Sequence, residues 1–95
     1  MYSFQKTGKF KKDVKLCFRR GYNMSLLEKA IDILEATGEL PPEYIPHPLI
    51  NKKGTMDAHI KPDWILLYRV EGTDDDLYDG NIILVRTGTH SDIFK

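Results

Sequence analysis

Cysteine is nearly absent from this chain: Cys17 stands alone among 95 residues. One cysteine makes no internal disulfide, and without a C-x-x-C pair there is no zinc knuckle of the usual spacing. No apolar run reaches the roughly 18 residues of a membrane span, so no membrane partner is expected. The opening MYSFQKTGKF lacks the apolar centre of a signal peptide, and a cytoplasmic location follows as the expectation. Net charge is also missing, with 14 Lys and Arg against 14 Asp and Glu. Repeats and low-complexity segments are absent. What remains, 41% hydrophobic and 29% charged residues, is ordinary globular composition. The length suits one domain, residues 1–95, whose thin core hides roughly 60–65% of the surface of the unfolded chain.

The balanced charge is unevenly spread. Lys6, Lys9, Lys11, Lys12, Lys15, Arg19 and Arg20 face only Asp13 within residues 6–20, while residues 71–79 hold Glu71, Asp74, Asp75, Asp76 and Asp79. A basic helix face fits RNA or an acidic protein, although a solvated face looks the same in sequence. The acidic stretch reads as a hairpin loop, with Gly72, Asp79, Gly80 and Asn81 as turn residues. It lacks the alternating ligands and closing glutamate of a calcium loop.

Residues 1–5 alternate and fit a short strand. A first helix is expected from about Thr7 to Arg20, because Phe10, Val14, Cys17 and Phe18 recur on one face. Cys17 on that stripe reads as a small core residue. Gly21 ends this helix. A second starts near Asn23 or Ser25, where Ser25 and Glu28 have capping-box spacing. Leu27, Ala30, Ile31 and Leu34 form its apolar stripe, and Gly38 with Pro41-Pro42 stops it. The short link between the helices predicts a helical hairpin. The period then changes to two. Within residues 54–60, Met56, Ala58 and Ile60 point one way and Thr55, Asp57 and His59 the other. Lys61-Pro62-Asp63 makes a turn. Residues 64–70 and 81–86 are strongly apolar strands, and short connections favour antiparallel pairing. The fold class is α+β, in β-α-α-β-β-β order, with the hairpin packed on one face of a twisted, mainly antiparallel sheet.

The alternation sends Asp57 and His59 to the face the helices leave uncovered, where a ligand has room. Asp63 and Trp64 sit one turn away, Arg86 ends a strand, and Gly88 lets His90 fold back toward it. Taken singly, a surface histidine needs no task, and a tryptophan opening a strand is most often core. Together with His47, these residue types suit RNA cleavage by the RNA's own 2′-hydroxyl. One group takes the 2′-proton and another protonates the departing 5′-oxygen, and histidine does either near neutral pH. Arginine clamps the phosphate, and Trp64 or a phenylalanine stacks an unpaired base. The rival chemistry is a zinc site built from the three histidines, disfavoured by the lack of an H-x-x-x-H spacing.

KFKKDVKL in the first helix, HPL at 47–49, DAHIKPDWILLYRV at 57–70 and RTGTHSDIF at 86–94 carry a resemblance spanning almost the whole chain. The sequence resembles the RelE/ParE superfamily of bacterial toxins, most closely its YafQ-like branch of mRNA interferases. The resemblance implies a RelE-like fold and an endoribonuclease toxin of a type II toxin–antitoxin pair. It would cut mRNA on the ribosome, without metal or cofactor. Carried over by position, the catalytic residues are His47, His59, Asp63, Arg86 and His90. Asp57, Trp64, Phe94, Lys52 and Lys53 are the substrate-binding set. His90 is then the general acid, His59 or His47 the base, with Asp63 orienting it or sharing that role, and Arg86 the phosphate clamp. The implied partners are a cognate antitoxin, in a heterotetramer, and mRNA with ribosomal RNA, met by Lys9, Lys11, Lys12, Lys15, Arg19, Lys52 and Lys53. The free toxin is implied to be a monomer. The sequence departs from the family in its neutral net charge and long acidic loop. A second reading from the same superfamily is a ParE-like toxin that binds DNA gyrase and cleaves nothing.

Overall fold

Residues 1–94 are described by a computed structural model. Its order is β1 (Ser3–Lys6), α1 (Gly8–Arg19), α2 (Met24–Thr37), a 3-10 turn (Pro42–Tyr44), β2 (His47–Pro48), β3 (Thr55–Lys61), β4 (Trp64–Glu71), β5 (Asn81–Gly88) and α3 (His90–Ile93). Local chemistry sets the helix ends. Thr7 caps α1 by accepting from the Phe10 amide. Asn23 caps α2, its side chain accepting from the amide and hydroxyl of Ser25, so the Ser25–Glu28 pair lies two residues too late to be the cap. Gly38 ends α2 at φ 75°, where a Cβ would also meet the Tyr2 ring at 2.5 Å.

The five strands lie in the order β1-β5-β4-β3-β2. All neighbours are antiparallel except β1 and β5, which run parallel because the helical hairpin connects β1 to the rest. Sequence alternation identified the strands after the helices, but neither this parallel pairing nor the two-residue β2. Phe10, Cys17, Leu27, Ala30 and Leu34 of the helices pack with Ala58, Trp64, Leu66, Tyr68, Ile82 and Leu84 of the sheet. The reading of Cys17 as core holds, and burial pushes its thiol pKa up, away from reactivity. Phe18 departs from the expected stripe: it is 71% exposed and lies on the rim of a groove between α1 and α2. No described helix is long and apolar enough to cross a membrane.

β4 is buried on both faces. Trp64, Leu66 and Tyr68 meet the helices, while Ile65 and Leu67 form the floor of the opposite face. One polar chain stitches the core side: the Trp64 indole N–H donates to the Thr87 hydroxyl, which donates to the Ile65 carbonyl, each at 2.9 Å. Substituting Thr87→Val keeps the volume and leaves a buried donor and a buried acceptor without that partner. It should lower unfolding free energy by about 1–3 kcal/mol, read from the urea midpoint. An unchanged midpoint would remove the chain from the account of the core.

Candidate functional site

Strand register builds the site. Across the sheet His47 pairs with Asp57, Asp57 with Leu67, and Leu67 with Arg86, a single row of cross-strand neighbours. The next row along the same face runs His59, Ile65, Gly88. Gly88, at φ 151°, sends the chain over the end of the sheet into α3, whose first residue is His90. Three imidazoles separated widely in the chain therefore meet. The rings of His47 and His59 lie 6.2 Å apart, those of His59 and His90 5.5 Å, and Phe94 stands 6.3 Å from His90.

Each ring has its own surroundings. The half-exposed His90 is gripped by one oxygen of Asp63, which accepts from its backbone N–H at 3.2 Å and lies 3.0 Å from Nδ1. Since a carboxylate only accepts, the Nδ1 proton points at Asp63 and Nε2 faces outward. Hydrogen bonding to the His90 ring, and then to its backbone amide, holds the Asp63 carboxyl below its ordinary pKa. His47 faces the Ile45 carbonyl through Nδ1 at 2.9 Å and Asp57 Oδ2 through Nε2 at 3.7 Å. His59 has no hydrogen-bond partner among the described residues, leaving its ring free toward a ligand. A groove of about 410 Å³ runs beside His47, lined by Leu49, Asn51, Lys52 and Phe94. Lys53 is exposed in the same loop but does not line it.

Two expectations need correction, and a third residue has a partner that the sequence did not show. Asp57 was placed on an open face as a substrate-binding residue, but it is only 4% exposed, with Oδ1 unpartnered and Oδ2 toward His47. β2 pairs beside it and sets His47 against its carboxylate. Trp64 was offered as a stacking platform, but it is 4% exposed, with its N–H spent on Thr87 and its ring 4.9 Å from that of Tyr22. Arg86, expected as the phosphate clamp, is not free of the rest of the protein. Its Nε and Nη2 donate to Asp13 at 2.7 and 3.1 Å, a fork-on-fork pair with α1. This pairing raises the Arg86 pKa above its ordinary value and leaves Nη1 for other acceptors.

Sequence reasoning missed Asp13, Arg20 and Asp92. Asp13 also accepts from the Thr87 amide at 3.2 Å. Arg20 binds both oxygens of Asp92, at 2.6 and 3.0 Å, and Asp92 closes a capping box with Thr89 at the start of α3. Two signals were present: Asp13 is the lone carboxylate of a basic stretch, and Thr89 to Asp92 has cap spacing. Among the described residues, no group of three or more His, Cys, Asp or Glu is arranged to hold a metal ion.

The Arg20 guanidinium, followed by the Thr89 amide, holds the Asp92 carboxyl well below the usual carboxylate range. A depressed folded pKa stabilises above the unfolded value, near 3.9, and that contribution is lost as pH falls through the folded value. Wild type should therefore exceed Asp92→Asn in urea stability at neutral pH, with the gap shrinking as pH drops below about 4. A gap of constant size would contradict the pairing.

Residues 2–95 match the family model described as the bacterial toxin of a type II toxin–antitoxin system, YafQ. The mRNA interferase toxins YafQ of Escherichia coli strain B / BL21-DE3 and strain K12 are 41% and 40% identical to the chain, covering 93% of it and 90% of their own lengths. Crystallised E. coli YafQ superposes with TM-score 0.84 at 37% identity, and the toxin in the E. coli DinJ–YafQ complex with 0.82 at 37%, each covering both chains fully. A metal-bound toxin from Helicobacter pylori reaches 0.82 at 32% identity, covering 99% of this chain and all of its own.

Proposed function

The chain belongs to the YafQ family of type II toxins and is an endoribonuclease, an mRNA interferase, and we propose that its imidazole cluster cuts mRNA on the ribosome by proton transfer alone. The observation that carries this mechanism is the meeting of His47, His59 and His90 on one sheet face, with the Nδ1 proton of His90 directed at Asp63. Cleavage begins when a base takes the 2′-hydroxyl proton. The 2′-oxygen attacks the adjacent phosphorus, the bond to the 5′-oxygen breaks, and an acid returns a proton to that oxygen. A 2′,3′-cyclic phosphate and a 5′-hydroxyl result.

His90 serves as the acid, with Nε2 outward and Asp63 balancing the charge of the doubly protonated ring. His59 serves as the base, because its ring is unengaged while both nitrogens of His47 face protein acceptors. His47 borders the substrate groove and Asp57 steadies it from beneath. Arg86 presents Nη1 to a phosphate oxygen, where charge grows in the transition state. Phe94 offers a stacking face and Lys52 a phosphate contact. No metal or cofactor takes part in these steps. Exposed Lys53, with the lysines of α1, meets ribosomal RNA in the cytoplasm. Family membership favours this over gyrase binding, which needs no proton-transfer set.

The partner is an antitoxin protein. A heterotetramer is the assembly we favour, and the groove between α1 and α2 is its docking site on the toxin. That groove, of about 710 Å³, has Phe10, Val14, Leu27 and Ile31 within it, exposed Phe18 at its edge and Lys6, Lys15 and Arg19 around it. An amphipathic segment with an acidic border complements that pattern. Free of it, the toxin is a monomer.

His90→Ala should lower cleavage of ribosome-bound mRNA by roughly 10²–10⁴-fold while the urea midpoint stays near wild type. Undiminished growth arrest by a folded His90→Ala toxin would end the acid assignment. Phe18→Glu should keep cleaving mRNA yet weaken antitoxin binding by 100-fold or more, on the order of a central interface residue. Wild-type affinity, measured by calorimetry, would move the docking site elsewhere.

A further inference from the structure

Asp13 lies on α1 and Arg20, seven residues on, is its C-cap, two helical turns and about 10.5 Å along the helix. They grip the chain on opposite sides of Gly88. Asp13 holds Arg86 with two hydrogen bonds and also takes the Thr87 amide. Arg20 holds Asp92 with two more. The charges are reversed along the helix, so the two pairs cannot exchange partners without opposing like charges.

What lies between the grips needs them. At Gly88 an added Cβ would come within 2.9 Å of the Asp92 carboxylate, so Asp92 is drawn tightly against the bend. α3 has four residues, a single turn that does not persist on its own. His90 opens it. Asp63 anchors that residue from the β3–β4 turn, and the Arg20–Asp92 pair anchors α3 from the helical side.

We propose that α1 is a splint for the catalytic bend, with Asp13 and Arg20 positioning residues that set where Arg86 and His90 stand relative to each other. This rests on the reading of Arg86 and His90 as phosphate clamp and acid. Neither positioning residue touches RNA. Each acts through its partner, and a shift of about 1 Å at the acid is enough to cost about 100-fold in rate. A part-exposed ion pair contributes only modestly to global stability, so its loss leaves the fold intact and the larger effect falls on catalysis.

The test uses full-length toxin on ribosomes carrying a defined mRNA. Arg20→Gln and Asp92→Asn should each lower kcat about 10- to 100-fold, with KM changed less than about threefold and the protein still fully folded without urea, whatever small fall in urea midpoint the lost pair brings. The double variant should be no slower than the slower single one, because both remove one grip. Arg20→Lys keeps the charge without the fork and should recover only part of the loss. Asp13→Asn, which frees Arg86, should also lower kcat. In NMR spectra the His90 and Phe94 signals should broaden in Arg20→Gln while core methyl signals stay in place. Single variants within twofold of wild-type kcat would overturn the splint, as would additive losses in the double variant. Should any variant unfold, the His90 and Phe94 line widths of folded Arg20→Lys decide the matter, with wild-type widths counting against the splint. A fully active His90→Ala would instead defeat the underlying acid assignment.

Discussion

The register of β4 against its two neighbours governs everything built on the sheet. β4 is buried on both faces, so a slip of one residue would send Trp64, Leu66 and Tyr68 away from the helices and Ile65 and Leu67 into them. That slip would also dissolve the row joining His47, Asp57, Leu67 and Arg86 and the row joining His59, Ile65 and Gly88. The Trp64–Thr87–Ile65 hydrogen bonds tie β4 to β5 in this register from the core side. Packing on one face thereby sets chemistry on the other, which lets a thin core hold a defined site.

Polar groups in the site are arranged at graded depth. Asp57 is buried with an unpartnered oxygen, a costly placement in a small domain. Its other oxygen faces His47, so the cost is tied to the imidazole above it. Asp63 is exposed and acts by direct hydrogen bonding to His90, which holds the carboxyl below its ordinary pKa. Two carboxylates beside two histidines thus differ in solvation, Asp57 buried and Asp63 exposed.

α1 serves two purposes on separate faces. Its apolar side helps shape the groove with α2 and leaves Phe18 in solvent, an arrangement that asks for a partner. Its Asp13 and Arg20 meet β5 and α3 at the bend that carries His90. The lone acid in a basic helix, unremarkable as sequence, has a structural task. The neutral net charge follows from carboxylates placed mostly outside α1, in and just after α2 and in the distant acidic loop, so a locally basic helix survives within a neutral chain.

The sequence by itself determined both long helices, the central strands and the α+β class, because apolar periodicity, caps and prolines are local signals within a few residues. The same alternation put His59 opposite Ala58. It misjudged Asp57, which is buried beside the two-residue β2, a strand that leaves no periodic trace. Trp64 was legible as core and Phe18 was misplaced there, because a stripe records which face is apolar and not whether a neighbour covers it. Only the tertiary structure decided that β1 runs parallel to β5, that three imidazoles meet, and that Arg86 and Asp92 are held from α1. Those contacts join residues far apart in the chain, and such pairings are settled by packing geometry, to which spacing in sequence is blind.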